Sequence, residues 1–325
     1  VNLPFRKNNK NVLYLEIFPN DTIVYFASHE KYFLLDKFPH FDSVTDGIII
    51  EPDVYSDLLD RSLEEYDLGI RFDRILISPF SSKYISSLEF TSYTRDPASE
   101  KITRQEVVKV SEEAQKENLQ KVLGGHDNLG VNFMLDQLVS SSVYKIIIDN
   151  RETGSLIGEK GGSITIGHIL GYSTNLLSRS YENFLSHIRI PELVIIPPLS
   201  LHESTKSFVF AHFFQSFSFV VGFKNGIFLG GFPINLGLDY LIKYDEESRV
   251  DFEKTKIQLD LYITHLELYI KELFKEDGLD SLFLNNNSIL KKLCTEDLFH
   301  FFDKRVQLSV FDKFNIEKIL RETNE

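Results

Sequence analysis

The order of elements in the first eighty residues constrains this chain more than any other feature. Asn11 to Glu16 and Thr22 to Ala27 are two runs dense in β-branched and aromatic residues, separated by Pro19-Asn20-Asp21. Such runs read as strands, and the Pro-Asn-Asp break reads as a hairpin turn. Tyr32 to Leu35 and Gly47 to Ile50 add short strands. Pro52 then opens a helix, because its missing N–H costs nothing in a first turn. Val54, Leu58, Leu59 and Leu63 recur at helical spacing toward Tyr66. Phe72 to Ser78 returns as a strand and stops at Pro79. A series of strands, then a helix and a further strand, predict a mixed sheet with a crossover helix on at least one face.

A second unit begins near Ser81. Leu88 to Tyr93 reads as a strand. Thr103, with Glu106 three residues on, forms a capping box for a helix from Arg104 to about Leu123, where Gly124-Gly125-His126-Asp127 breaks it. Tyr144 to Asn150 and Ser163 to Tyr172 read as strands and Leu176 to Ile188 as a helix. Gly154 to Gly162 carries four glycines between strands, but no GKS or GKT follows. It reads as a surface turn in preference to a phosphate loop. Beyond Pro191, Glu192 to Pro197 is a strand and Leu199 to Glu203 a short helix. Ser207 to Phe214, Phe217 to Phe223 and Gly226 to Gly231 are strands, the last pair joined by Lys224-Asn225-Gly226. A long helix spans Asp251 to Glu276, with Ile257, Leu261, Ile263, Leu266, Tyr269, Ile270 and Leu273 on one broad face. Ser281 to Leu284 and Arg305 to Val310 are strands, with a helix at Glu296 to Asp303.

Charge removes some classes of function. Lys and Arg total 35 against 48 Asp and Glu, a formal charge of -13. A field of that sign repels phosphate backbones, so no nucleic-acid partner is expected. The densest basic run, Phe5 to Lys10, reads as part of a solvated leader over residues 1–10 in preference to a membrane-touching arm. Cys294 is the sole cysteine, which excludes an internal disulfide and fits a reducing compartment. It reads as a structural thiol, because no His or Asp constellation accompanies it as a nucleophile. No run reaches membrane-spanning length without charge, and no secretory signal is evident. No paired carboxylates, metal-ligand spacing or nucleophile–base set stands out, so neither catalytic residues nor a metal site are assigned.

Taken together, the order of elements resembles the bacterial actin-like proteins of the FtsA and PilM type. That resemblance implies an α/β fold: an actin-like (ribonuclease H-like) duplicated core with an inserted small α+β domain of the SHS2 (1C) type. It divides the chain into the leader, a first half of lobe I at 11–80, the insert at 81–189, and a second lobe at 190–325 whose fourth subdomain is reduced to one long helix. In such proteins a first hairpin similar to LDIGSSS binds phosphate. Here Leu15-Glu16-Ile17-Phe18-Pro19-Asn20-Asp21 stands in its place. Phe18 replaces a glycine, Pro19 lacks an N–H donor, and Asp21 brings negative charge toward the nucleotide tail. Glu16 stands where the family has Asp, and reads as a structural or exposed carboxylate in preference to a metal ligand.

A second family hairpin resembles DIGGGTTD. Here His212-Phe213-Phe214-Gln215-Ser216 takes its place without the aspartate or the glycines. His212 reads as a hydrogen-bonded structural histidine in preference to a base. A third motif resembles LTGGGS, and here Asn285, Asn286 and Asn287 replace its glycines. Gly230 to Gly237 and Ile102 to Val107 keep family-like character. The resemblance therefore implies a degenerate nucleotide cleft at Glu16, Phe18, Pro19, His212, Gln215, Asn285, Asn286 and Asn287, with no cofactor expected. The implied role is a cytoplasmic scaffold at the inner face of the membrane, in type IV pilus assembly or cell division. Its partner would be a protein, such as the cytoplasmic tail of a membrane protein, held by the insert through the edge of Tyr144–Asn150 or the face of the Arg104–Leu123 helix. Self-association stays open, and the end of the chain, Asn315 to Glu325, is too short and acidic to predict direct membrane insertion. The competing expectation is an active ATPase that binds ATP and magnesium near Glu16, Gln215 and Asn286.

Overall fold

The computed structural model describes residues 11–28, 31–64, 71–128, 137–198, 207–274, 281–285, 300–301, 304–305 and 308–311. The chain begins with an antiparallel meander of β1 (Val12–Ile17), β2 (Asp21–Ser28) and β3 (Lys31–Pro39). A small hairpin of β4 (Val44–Thr45) and β5 (Ile48–Ile49) leads into α1 (Pro52–Glu64), and β6 (Arg74–Pro79) returns parallel to β1. Next come β7 (Tyr84–Thr94), α2 (Arg104–Asn128), β8 (Gln137–Ile148), β9 (Arg151–Thr153) and β10 (Ser163–Ser173). Then α3 (Asn175–Leu185) leads to β11 (Leu193–Ile195). A second meander follows, β12 (Phe208–Phe213), β13 (Ser218–Lys224) and β14 (Ile227–Ile234). The short α4 (Leu238–Leu241) and the long α5 (Phe252–Phe274) precede β15 (Ser281–Asn285), β16 (His300–Phe301), β17 (Lys304–Arg305) and β18 (Leu308–Phe311).

The same sheet is built twice. The first has the order β11-β6-β1-β2-β3; within the second lies the run β18-β15-β12-β13-β14. In each, three antiparallel strands are followed by a helical crossover to a strand parallel to the first, then by one more parallel strand. The sequence explains why β1 and β12 lie at the centre. Apart from Glu16 and His212 both are apolar runs, and all six residues of each are buried, as expected of strands covered on both faces.

Strands β7 to β10, expected as an inserted unit, do not form a separate sheet. They extend the second one, in the order β14-β7-β10-β8-β9, through only two residue pairs, Gly230↔Ser87 and Gly231↔Ser86. The strands are longer than their apolar cores suggest, and they serve two packing centres. Ile85, Leu170 and Tyr172 join the core beneath α5, while Ile148, Ile164 and Ile166 pack with Ile102 and Val110 beneath the start of α2. The capping box is present: Glu106 N–H donates to Thr103 Oγ1 at 3.2 Å and Thr103 N–H to Glu106 Oε2 at 3.4 Å. Such a cap contributes about 1 kcal/mol. Arg95 pairs with the same Glu106 and donates to the carbonyl oxygens of Glu100 and Gly161, tying the glycine-rich turn to the helix start.

Several local expectations change. The helix continues through Gly124-Gly125 to Asn128. His300–Phe301, expected as helix, are extended and pair with Lys304–Arg305. On α1 the buried side chains are Tyr55, Ser56, Leu59 and Ser62, so Val54 is exposed. On α5 the inner face is Thr255, Leu259, Tyr262, Ile263, Leu266 and Ile270, which leaves Ile257 and Leu261 outside. Leu59, Ile263, Leu266 and Ile270 face the core as expected, with Leu58, Leu63 and Tyr269 packed against it; the spacing wrongly added Val54, Ile257 and Leu261, because apolar residues occur on more than one face. By sequence α3 falls within the expected 81–189 unit; Leu177, Tyr181 and Phe184 pack it into the core of the first sheet, and its Tyr181 hydroxyl donates to Gly47 O. Likewise β11, within 190–325, pairs with β6 of the first sheet. Leu199–Glu203, Cys294, the leader and Asn315–Glu325 lie outside the described residues.

Candidate functional site

The first hairpin turn is closed by a hydrogen bond from Phe18 N–H to Asp21 O at 2.9 Å. His40 Nε2 donates to Phe18 O at 2.8 Å. Burial lowers the pKa of His40, so the imidazole that holds this turn is neutral. Phe80 N–H donates to Ile17 O at 2.9 Å, which fixes the end of β6 beside the turn. Phe18 is 1% exposed, and its ring stacks on Phe80 with centroids 4.2 Å apart and planes 15° apart.

The second hairpin turn comes to the same place from the other sheet. Phe214 N–H donates to Phe217 O at 2.8 Å, closing it. His212 stacks on Phe214 at 4.5 Å and lies 5.0 Å from the Phe18 ring; Phe214 lies 6.3 Å from it. Phe219 meets Phe80 edge-on at 5.4 Å and Phe217 meets Phe214 at 4.7 Å. The ends of β1 and β12 therefore meet through an aromatic cluster. Offset and edge-on pairs of this kind contribute about 0.5–1.5 kcal/mol each beyond the area they bury.

The second turn is also capped from behind. Leu238 N–H donates to Phe214 O at 2.8 Å and Asp239 N–H to Gln215 O at 3.0 Å. Gly237 makes this approach feasible. A Cβ there would stand 2.5 Å from both Gln215 O and Phe217 N and 2.6 Å from Phe214 O, all rigid backbone atoms. The Gln215 side chain is exposed and hydrogen-bonds the Asp239 carboxylate.

The remaining expected residues divide. Glu16 is fully buried and accepts from Tyr14 Oη at 2.7 Å and Tyr25 Oη at 3.2 Å. It serves as the acceptor of a tyrosine pair. Burial first, then the Glu16 charge, raises the Tyr14 phenol well above its ordinary pKa. Asp21 forms an ion pair with Lys37 at 3.0 Å, so its charge is met locally and the expected repulsion is largely offset. Pro19 is half-buried in the first turn. Asn285 ends β15, parallel to β12 in the sheet, while Asn286 and Asn287 lie outside the described residues. The structure thus joins Phe18 and His212. Phe80, Phe214, Phe217, Phe219 and His40, which the motif reading passed over, complete the cluster. For Phe214, Phe217 and Phe219 the sequence signal is the phenylalanine density from Phe208 to Phe219; Phe80 and His40 carry none.

No family model matches the sequence, and no curated protein matches it. Among solved structures, a chain of the PilM–PilN type IV pilus biogenesis complex overlays with a TM-score of 0.55 at 11% identity, covering 98% of this chain and 96% of that one. The fold is actin-like. At this identity the likeness speaks for architecture alone, and it agrees with the sheet built twice. A Bacteroides thetaiotaomicron protein described as having an actin-like ATPase fold and unknown function gives a TM-score of 0.41 at 13% identity, covering 98% of each chain. Apo ParM of pSK41 gives 0.37 at 8%, covering 98% of this chain and 96% of that one. Among the described residues, no helix is long and apolar enough to cross a membrane.

Proposed function

We propose that this chain is a catalytically inactive actin-like scaffold that grips the cytoplasmic tail of a membrane protein, with type IV pilus assembly preferred to cell division. One observation carries the reading. Phe18 is packed between the two hairpins that the family resemblance assigns to phosphate binding, with Phe80, His212 and Phe214 around it. A phosphate oxygen bound at such turns needs close approach to N–H groups. Pro19 offers none, and the Phe18 amide already serves the turn. A chain of the PilM–PilN complex shares the fold, and on that ground the pilus role is the one we prefer.

The insert offers a physical means of holding such a tail. β9 covers only Ile146–Ile148 of β8, so the edge expected at Tyr144–Asn150 is mostly occupied. From Gln137 to Lys145, β8 has a strand partner on one side alone among the described residues. An extended peptide adds to such an edge through main-chain hydrogen bonds.

Thermal unfolding with and without Mg-ATP tests the nucleotide part. A site occupied at 100 times its dissociation constant stabilises by about 2.7 kcal/mol, a rise of about 4 °C for a chain of this size. The expected result is no shift at millimolar Mg-ATP. A shift of that size with phosphate release would instead make the chain an active ATPase that binds ATP and magnesium.

A further inference from the structure

Phe41 is the most exposed of the large apolar side chains described, at 73%, and it holds a backbone φ of +48°. A bulky residue in the left-handed region is a genuine outlier, since its Cβ crowds the following carbonyl. A glycine or asparagine would sit there without strain, and burial does not explain the phenylalanine. Two more exposed apolar residues are built beside it. Ser43 O accepts from Ile50 N–H at 2.8 Å and from Glu51 N–H at 3.2 Å, bringing the end of the β4–β5 hairpin against the turn that carries Phe41. Ile50 is 56% exposed, and Val54, in the first turn of α1, is 45% exposed.

The same surface is acidic. Asp42 and Glu51 flank the apolar residues. Along α1, Asp53, Asp57, Asp60 and Glu64 recur at intervals that place them on one exposed face, opposite buried Tyr55, Leu59 and Ser62. The stripe is about 17 Å long at 1.5 Å per residue. Among the described residues its basic neighbours are few: Arg61 on the helix flank, Arg189 near Asp60, and the His187 ring with Nε2 3.2 Å from Asp53. Desolvation, then Asp57 and Glu64, raises the Asp60 pKa, with Arg189 opposing, so the stripe is incompletely neutralised.

We propose that Phe41, Ile50 and Val54, with the Asp53–Glu64 stripe, form a docking surface for a cationic amphipathic segment of a partner protein. Its apolar residues would cover the three exposed side chains, and its Lys or Arg residues would run along α1. Charge complementarity decides among occupants, because an anionic membrane surface or a nucleic acid meets the wrong sign here. This surface is built on α1 and the β4–β5 hairpin, and it stands whether or not the nucleotide cleft is closed.

The test uses the full chain and a fluorescein-labelled amphipathic Lys/Leu helix of about 18 residues, with two controls in which Glu replaces Lys or Ser replaces Leu. Anisotropy should show binding of the Lys/Leu peptide alone, weakened about tenfold between about 50 and about 300 mM salt. Phe41→Gly should weaken binding about fivefold with a melting temperature unchanged or raised, because glycine accepts the backbone that phenylalanine strains. Asp57→Lys with Asp60→Lys should weaken it about tenfold. Glu246→Lys with Glu253→Lys makes the same charge change elsewhere and should leave it intact. Equal losses in the two charge-reversed variants, or full binding by Phe41→Gly, would reduce the effect to diffuse net charge and overturn the proposal. So would binding to phosphatidylglycerol vesicles that depends on Phe41.

Discussion

Phe18→Ala is the most informative single change. The ring is 1% exposed, so burying it contributes about 2–3 kcal/mol by transfer alone. The stack on Phe80 at 4.2 Å and the contacts to His212 and Phe214 add about 1 kcal/mol more. Large-to-small replacement of a buried aromatic also leaves a cavity, and such changes cost about 3–5 kcal/mol in total. The expected loss is therefore about 4 kcal/mol, read as a fall in the urea midpoint at unchanged slope. Phe208→Ala is a useful reference, since Phe208 is equally buried and stacks on Phe223 at 4.9 Å at the opposite end of β12 from the Phe214 turn. Phe18→Ala should also fail to create Mg-ATP stabilisation, because Pro19 still withholds a donor. A cost below about 1 kcal/mol would mean that the ring does not join the two sheets, and the argument from crowding would fail with it.

Gly237→Ala should destabilise by about 2 kcal/mol or more, since the new Cβ meets three backbone atoms within 2.6 Å and none can rotate away; equilibrium denaturation checks it, and a neutral result would place α4 farther from the turn. His168 is 2% exposed, and burial lowers its pKa. The unfolded chain binds the proton more readily, so its contribution to stability is present above the ordinary histidine pKa of about 6.5 and is lost as pH falls through that value. His168→Gln should flatten the stability profile between about pH 7 and 5, and an unchanged slope would assign the acid sensitivity to other groups.

The two meanders were legible because runs of β-branched and aromatic residues and the turn residues between them are local signals. Asn225 at φ +50° and Gly226 at +78° occupy the conformations that the Asn-Gly pair predicts. The capping box at Thr103 was legible for the same reason. Helix faces were less so: Val54 and Ile257 fit an apolar period yet face outward, because a period cannot tell which side a sheet will cover. In the candidate site, the motif comparison pointed to Phe18 and His212 separately. It could not show that they lie 5.0 Å apart, nor that Glu16 is held by two tyrosines.

The sequence by itself determined where most of the chain turns, and that the three segments matched by resemblance to nucleotide-binding motifs lack the glycines of those motifs. Each of these is set by a residue's own backbone freedom or by the spacing of its neighbours. Only the tertiary structure decided that the insert continues the second sheet through Gly230 and Gly231, and that residues more than a hundred positions apart close one aromatic cluster. Contacts of that range depend on how two sheets pack, and packing is a property of the assembled core that no local pattern encodes.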